Sequence, residues 1–315
     1  MLDPVPYQIR QSEAFLEDVL AGLAQSKKTL PSRWLYDDRG SELFELITAL
    51  DEYYLTRTET AILNACGQEI ADFCGERATV LEYGAGAGIK TEILITALRA
   101  PRLYVPIDIA GEFLDQTVTR FRRRFPNLLT KSIVADFTAT FELPGWIPSG
   151  HRVAFFPGST IGNLNAAEVA DFLQRMRRHV GADGRAVIGV DMKKDLRILI
   201  PAYDDAAGVT ALFNLNLLKR ANRELGANFD LDSFRHSARW NDAESAIEMH
   251  LVSRIAQTVT VAGRKFNFDA GETIHTESSR KYDMAGFATM AGQNGWQVGR
   301  RWTDDKGLFC VLGLE

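Results

Sequence analysis

The stretch Thr79–Leu98, TVLEYGAGAGIKTEILITAL, constrains the fold of this chain more than any other. Its apolar opening, Thr79–Tyr83, reads as a buried strand. Gly84, Gly86 and Gly88 follow at alternate positions, and apolar residues at Ile93, Leu94 and Leu98 then recur with helical spacing. Glycines at such a strand-to-helix turn permit positive φ and let a ligand come close to the backbone. The helix that follows offers unpaired N–H groups at its start.

The spacing G-x-G-x-G lacks the sixth-position glycine of the dinucleotide fingerprint, and Glu82 stands two residues before the first glycine. A carboxylate at that strand end suits the positive methionine end of S-adenosylmethionine (SAM), where no pyrophosphate has to be accommodated. From this stretch alone, SAM, another nucleotide and a purely structural βα turn all stay open.

The rest of the chain extends the pattern. Arg102–Ile107, Leu128–Ala135, Arg152–Phe156 and Arg185–Val190 read as further strands, with Phe113–Phe125 and Ala166–Val180 as helices between them. Asp108 ends the second strand 20 residues after Gly88, where a doubly wound fold places the acid that accepts the ribose hydroxyls. Asp136 and Phe137 suit an adenine site, and Pro157–Asn165 (PGSTIGNLN) follows a central strand, where open α/β sheets bind ligands. Each acid by itself could equally be a turn or cap residue. Upstream, Ser12–Ala24, Leu35–Leu50 and Thr58–Phe73 have helical spacing, and the connecting segment DEYYLTRTE holds two adjacent tyrosines. From Ile198 to about Gly226 the chain reads as helical, followed by short strands at Ser237–Trp240, Ile247–Ile255, Gln257–Ala262 and Lys265–Phe268. Met284–Gly292 reads as a helix, with a closing hairpin of Trp296–Thr303 and Gly307–Leu314. The expected fold is α/β: a Rossmann-like class I SAM-dependent methyltransferase sheet with an added α+β lid or substrate domain. Residues 60–196 and 284–315 are expected to form the SAM-binding core, and 1–59 and 197–283 the substrate-binding lid.

Composition narrows the function. The formal net charge is −5, with no basic domain, which disfavours a nucleic-acid partner. No stretch approaches the roughly 18 apolar residues of a membrane span, and Met1–Gln11 lacks the basic and apolar regions of a secretory signal. Cys66, Cys74 and Cys310 are odd in number and lack ligand spacing, and the five histidines form no i,i+4 pair. A cytoplasmic monomer with reduced thiols and no metal site is expected.

Long blocks carry a resemblance: WLYDDRGSELFELIT, EYYLTRTE, LEYGAGAGIKT, YVPIDI, ADF, FPGSTIGNL, YDDAAGVTALFNLNLL, RWNDAESAIEMHL and IHTESSRKY. Over roughly residues 10–315 the chain resembles the histidine Nα-methyltransferases of ergothioneine biosynthesis. The resemblance implies SAM as methyl donor and L-histidine, with its mono- and dimethyl forms, as substrate. Three methylations of the α-amino group would give hercynine. It implies Tyr53 and Asn163 at the reacting amine, Gly158 beside them, and Tyr203 on the substrate carboxylate. Glu277 and Ser279 would read the two imidazole nitrogens against the apolar wall of Met249. Tyr36, Gly84, Lys90, Asp108, Asp136 and Phe137 would hold the cofactor, Tyr36 at its methionine end. The turn reads EYGAGAGIKT where other members have an ELGSGTSEKT-like sequence, and a proline stands in FFPGSTIGN where glycine is also common. A related enzyme acting on another amino acid or imidazole compound is the alternative, and a non-catalytic SAM-binding module a more distant one.

Overall fold

The computed structural model describes residues 7–86, 88–109 and 111–315. The reading of Met1–Gln11 as free of a secretory signal lies largely outside these residues. Two compact units divide the chain: Met1–Tyr54 with Lys194–Ser279, and Leu55–Lys193 with Arg280–Glu315.

The second unit is built on strands whose sequences are almost continuously apolar. Thr79–Tyr83 and Phe309–Leu314 are buried along their whole length, and Leu103–Asp108, Arg152–Phe156 and Arg185–Asp191 nearly so. That pattern belongs to strands covered on both faces. The sheet runs in the order Val298–Thr303, Phe309–Leu314, Arg185–Asp191, Arg152–Phe156, Thr79–Tyr83, Leu103–Asp108, Leu129–Thr130, with Ile133–Val134 also paired to Leu103–Asp108. The pairs are parallel from Arg185–Asp191 to Leu129–Thr130, and Phe309–Leu314 is antiparallel to both of its neighbours. This is the class I methyltransferase sheet expected from the sequence, closing hairpin included. The strand order reverses between Thr79–Tyr83 and Arg152–Phe156, so the glycine turn and the Pro157–Asn163 loop leave neighbouring strand ends at the switch point. Leu81, Val105, Phe156, Phe172, Ile188 and Trp296 share one core. The helix Ala166–Val180 is started by a capping box, Asn165 accepting from the Glu168 N–H while Glu168 accepts from that of Asn165.

Two expected elements are broken in this unit. The helix expected over Thr58–Phe73 is two, Tyr54–Ala65 and Gly67–Cys74, because Gly67 interrupts the helical pattern. The one short strand expected within Leu128–Ala135 is two pieces, Leu129–Thr130 and Ile133–Val134, separated at Lys131–Ser132. Cys74 and Cys310 are buried free thiols, each pushed up to about 12 by burial.

The first unit holds the helices Tyr7–Leu23, Asp38–Thr48 and Val209–Leu225 with a four-stranded sheet in the order Lys28–Thr29, Thr273–Arg280, Ala246–Ser253, Phe234–Asn241. A separate hairpin pairs Gln257–Val261 with Arg264–Phe268, its turn at Ala262 and Gly263 having positive φ. The LYDDRG block is explained by helix capping. Asp37 accepts from Gly40 N at 2.8 Å, and also from Asn216 Nδ2 and Arg223 Nη2, each at 2.7 Å. A Cβ at Gly40 would collide with the Leu35 carbonyl oxygen.

Continuous helix from Ile198 to Gly226 is not what forms. Leu196–Leu199 is one short helix, a non-helical turn follows, and Val209–Leu225 is a second helix. Pro201 disfavours a continuing helix. Asp205 accepts from Val209 N at 2.9 Å and Thr210 N at 2.7 Å, taking up N–H groups that a new helix leaves unpaired. The break leaves Tyr203 in a turn. Thr273–Arg280 is a strand that the sequence did not suggest, because Ile274 is its one aliphatic residue. Among the described residues no helix is long and apolar enough to cross a membrane.

Candidate functional site

In the second unit the glycine turn is a backbone cradle. Gly84, Gly86 and Gly88 take φ of 69°, 46° and 62°, which disfavours any other residue there. A Cβ at Gly88 would lie 2.8 Å from Phe121 Cε2, and one at Gly84 3.2 Å from Phe137 Cε1. At Gly86, by contrast, a Cβ would find open space, with Gly84 O 4.0 Å away. The Gly86 N–H donates to Asp108 Oδ2 at 3.3 Å. Asp136 accepts from Thr138 N at 2.8 Å, the turn role open to such an acid. Phe137 is edge-on to Phe156 and Phe172. An open Gly-rich turn flanked by a carboxylate and an aromatic ring has the donor set that an adenosine-type cofactor needs, and the residues fit SAM in this respect.

Glu82 does not play the part expected of it. Its side chain is buried and accepts from the Thr91 and Tyr104 hydroxyls. Burial pushes the carboxyl up to about 8, against the pull of those two hydrogen bonds. It is therefore largely protonated at neutral pH and is an internal tie, not an anion facing a sulfonium.

A different acid organises this end of the sheet. Glu59 lies in a helical stripe with Leu55, Ile62 and Leu63, all four buried. The Gly158 N–H donates to both of its carboxylate oxygens, at 3.0 and 2.9 Å, and Lys90 Nζ is ion-paired with it. A Cβ at Gly189 would collide with Glu59 Oε1, so the strand Arg185–Asp191 needs glycine at that point. The loop beyond Gly158 is fixed as firmly. Ser159 has φ of 57°, its hydroxyl accepts from Asp191 N at 2.9 Å, and Asp191 is paired with the fully buried Lys281 at 2.9 Å. Asn163 ends the short helix Thr160–Asn163, where Tyr282 OH donates to Ile161 O at 3.2 Å. Glu59 was missed as a site residue, although an acid in an otherwise apolar helical stripe is a legible signal.

The first unit holds the remaining predicted residues. Tyr203 OH and Ser279 Oγ are 2.8 Å apart, both buried. The Tyr53 ring stands edge-on to Tyr203 at 6.1 Å and to Phe44 at 6.1 Å. Tyr36, expected beside the cofactor, is in this cluster: its hydroxyl donates to Glu277 Oε1 at 3.5 Å, and its ring is edge-on to Phe44 and Phe213. Burial first, then the Glu277 carboxylate and the neighbouring Tyr53 and Tyr203, push the Tyr36 phenol well above its ordinary value. It stays a neutral donor at physiological pH. Glu277 is 7% exposed and Ser279 4%. Met249 is buried on the adjacent strand, where its carbonyl accepts from Thr276 Oγ1 at 3.0 Å. The aromatic neighbours Phe44 and Phe213 were not singled out in the sequence, since Phe at helical spacing reads as ordinary core. A buried carboxylate, a hydroxyl pair and several aromatic rings make a set able to recognise a small ring carrying N–H donors and acceptors.

Residues 15–315 match the family described as histidine-specific, SAM-dependent methyltransferases. The histidine N-alpha-methyltransferase of Mycolicibacterium smegmatis is 41% identical over 304 residues, covering 95% of this chain and 94% of that protein. Its counterpart in Mycobacterium tuberculosis is 40% identical over 302 residues, 94% and 93% of the two chains. Ergothioneine biosynthesis protein 1 of Neurospora crassa is 31% identical over 207 residues, 63% of this chain and 23% of that protein.

Two outcomes follow from the buried acids. Glu59→Ala leaves Lys90 and the Gly158 N–H without their partner and is expected to cost about 3 kcal/mol in stability, read by denaturant unfolding, with weakened cofactor binding read by calorimetry. For Glu82, the folded-state value of about 8 lies above the ordinary carboxyl value near 4.3 of the unfolded chain. The folded state then binds more protons across that interval, so this group's contribution to stability falls as pH rises through it. Glu82→Gln removes the titration, and its thermal midpoint relative to wild type is expected to rise between about pH 5 and pH 8.

Proposed function

This chain belongs to the SAM-dependent, histidine-specific methyltransferases, and we propose that it methylates the α-amino nitrogen of L-histidine three times, giving hercynine in ergothioneine biosynthesis. Bound SAM supplies a methyl group activated by its sulfonium. The observation that carries the substrate assignment is the buried Glu277 carboxylate of the first unit, grouped with Tyr36, while Ser279 is paired with Tyr203.

Each residue then has a defined task. Glu277 accepts an imidazole N–H, and Ser279 gives or takes a hydrogen bond at the other ring nitrogen. Met249 forms an apolar wall for the ring. Tyr203 holds the substrate carboxylate. Tyr53 and Asn163 orient the amine so that its lone pair, not an N–H, points along the line of attack, a requirement of displacement at carbon. Gly158 lies by the amine, and since Glu59 already takes its N–H, its carbonyl is the group left to act there. Gly84, Lys90, Asp108, Asp136 and Phe137 hold the cofactor. The amine is an ammonium ion near neutral pH, so it loses one proton before each of the three transfers, three in all, and the quaternary nitrogen of the product carries none.

A methyl-transfer assay with histidine against a panel of free amino acids tests this reading. Mass spectrometry is expected to show one, two and then three methyl groups on histidine alone. Methylation of tryptophan or tyrosine in its place would overturn the substrate assignment. Glu277→Ala is expected to lower kcat/KM for histidine roughly 10- to 100-fold, the equivalent of a lost buried hydrogen bond to a charged group.

A further inference from the structure

His236 belongs to none of the tasks above, yet it sits at the root of Tyr203. It lies on the strand Phe234–Asn241 and is buried. Its Nε2 is 2.8 Å from the Tyr203 carbonyl oxygen and its Nδ1 is 2.9 Å from Asn214 Nδ2. The orientation of the Asn214 amide is set by a second bond, since Nδ2 also donates to the His250 carbonyl at 3.3 Å. Nδ2 is therefore a donor toward His236, Nδ1 must accept, and the imidazole proton is on Nε2, where it donates to Tyr203 O. Burial holds His236 below its ordinary value, in keeping with the neutral ring. Asp204 Oδ1 is 4.0 Å from Nε2 and Asp205 is the other nearby acid.

The arrangement carries a cost that packing alone does not explain. Asn214 Oδ1 is buried without a hydrogen-bond partner, and such an atom disfavours folding. Turning the amide over would give Oδ1 a role but would bring it against the His250 carbonyl and reverse the tautomer of His236. The Tyr203 carbonyl would then lose its donor. Tyr203 also lies in the turn between two helices, where no helical ladder fixes it. Its N–H donates to Ile200 O at 3.0 Å, and its hydroxyl pairs with Ser279.

We infer that His236, oriented by Asn214, is a positioning residue for substrate binding: it fixes the Tyr203 backbone so that the tyrosine hydroxyl meets Ser279 and the substrate carboxylate. This rests on the histidine-binding role proposed for Tyr203. His236 itself touches no reacting atom.

The test compares His236→Phe, which keeps a ring without polar atoms, with His236→Gln, which keeps a donor able to reach Tyr203 O, and His236→Asn, whose shorter chain cannot reach it. KM for histidine is expected to rise about 10-fold in the Phe and Asn variants, one lost hydrogen bond's worth, with kcat changed less. The Gln variant is expected to recover most of the loss, and the SAM dissociation constant to stay within about 2-fold throughout. On a Tyr203→Phe background, His236→Phe is expected to add less than it does alone, because the two act through one contact. An unchanged KM in the Asn variant, a Gln variant as impaired as Asn, full additivity with Tyr203→Phe, or a parallel loss of SAM affinity would each overturn the inference. If the Phe variant does not fold, the Gln and Asn comparison decides it. Wild-type activity on histidine is measured first. Should the wild type take another amino acid, the functional reading fails, and the same variants read on that substrate still judge His236.

Discussion

The buried carboxylate of Glu59 is the constraint on which the second unit depends. A charge with 1% exposure must be compensated or it does not stay buried. Here the partners are a backbone N–H from the loop after one strand, and the lysine at the start of the helix that follows the glycine turn. One side chain therefore joins three separate pieces of the chain: its own helix, the start of the helix Ile89–Ala97, and the loop at Gly158. The strand beneath accommodates it with Gly189. The helix after the glycine turn and the loop at Gly158 are in this way held together by a buried ion pair and hydrogen bonds, and not merely by packing.

The first unit solves a different problem. It keeps several hydroxyls and a carboxylate away from water. Aromatic side chains serve this end, because rings exclude water while a phenol at the rim still offers a polar handle. Tyr36, Tyr53 and Tyr203 each pack edge-on to a neighbouring ring. The turn at Tyr203 and the strand carrying Ser279 bring the two hydroxyls together.

The legibility of the sequence differed between the units for a physical reason. Parallel strands covered on both faces are written as apolar runs, so Thr79–Tyr83 and Arg152–Phe156 were read at once. The strand Thr273–Arg280 was not, since its His-Thr-Glu-Ser-Ser-Arg sequence lacks the apolar alternation of a half-buried strand. The break around Tyr203 was overlooked because the residues on both sides are good helix formers, and one Asp side chain decides where the second helix starts. Glu82 was misjudged since its position at a strand end says nothing about which way the carboxyl is tied. Tyr36 was read with the cofactor residues, and the structure gives it Phe44 and Phe213 as ring neighbours and Glu277 as its hydroxyl partner.

By itself the sequence determined the class of sheet, the position of the glycine turn and the family, because these rest on local periodicity and on long matching blocks. Only the tertiary structure decided which groups each buried acid is tied to. Glu82, Asp108 and Glu277 are all carboxylates on strands, and their neighbouring letters do not tell which groups they will meet, whereas Glu59 stands out only as an acid in an apolar helical stripe. Their partners are Gly158, Thr91, Tyr104, Gly86 and Tyr36, most of them distant in the chain. Folding alone brings those groups within hydrogen-bond reach.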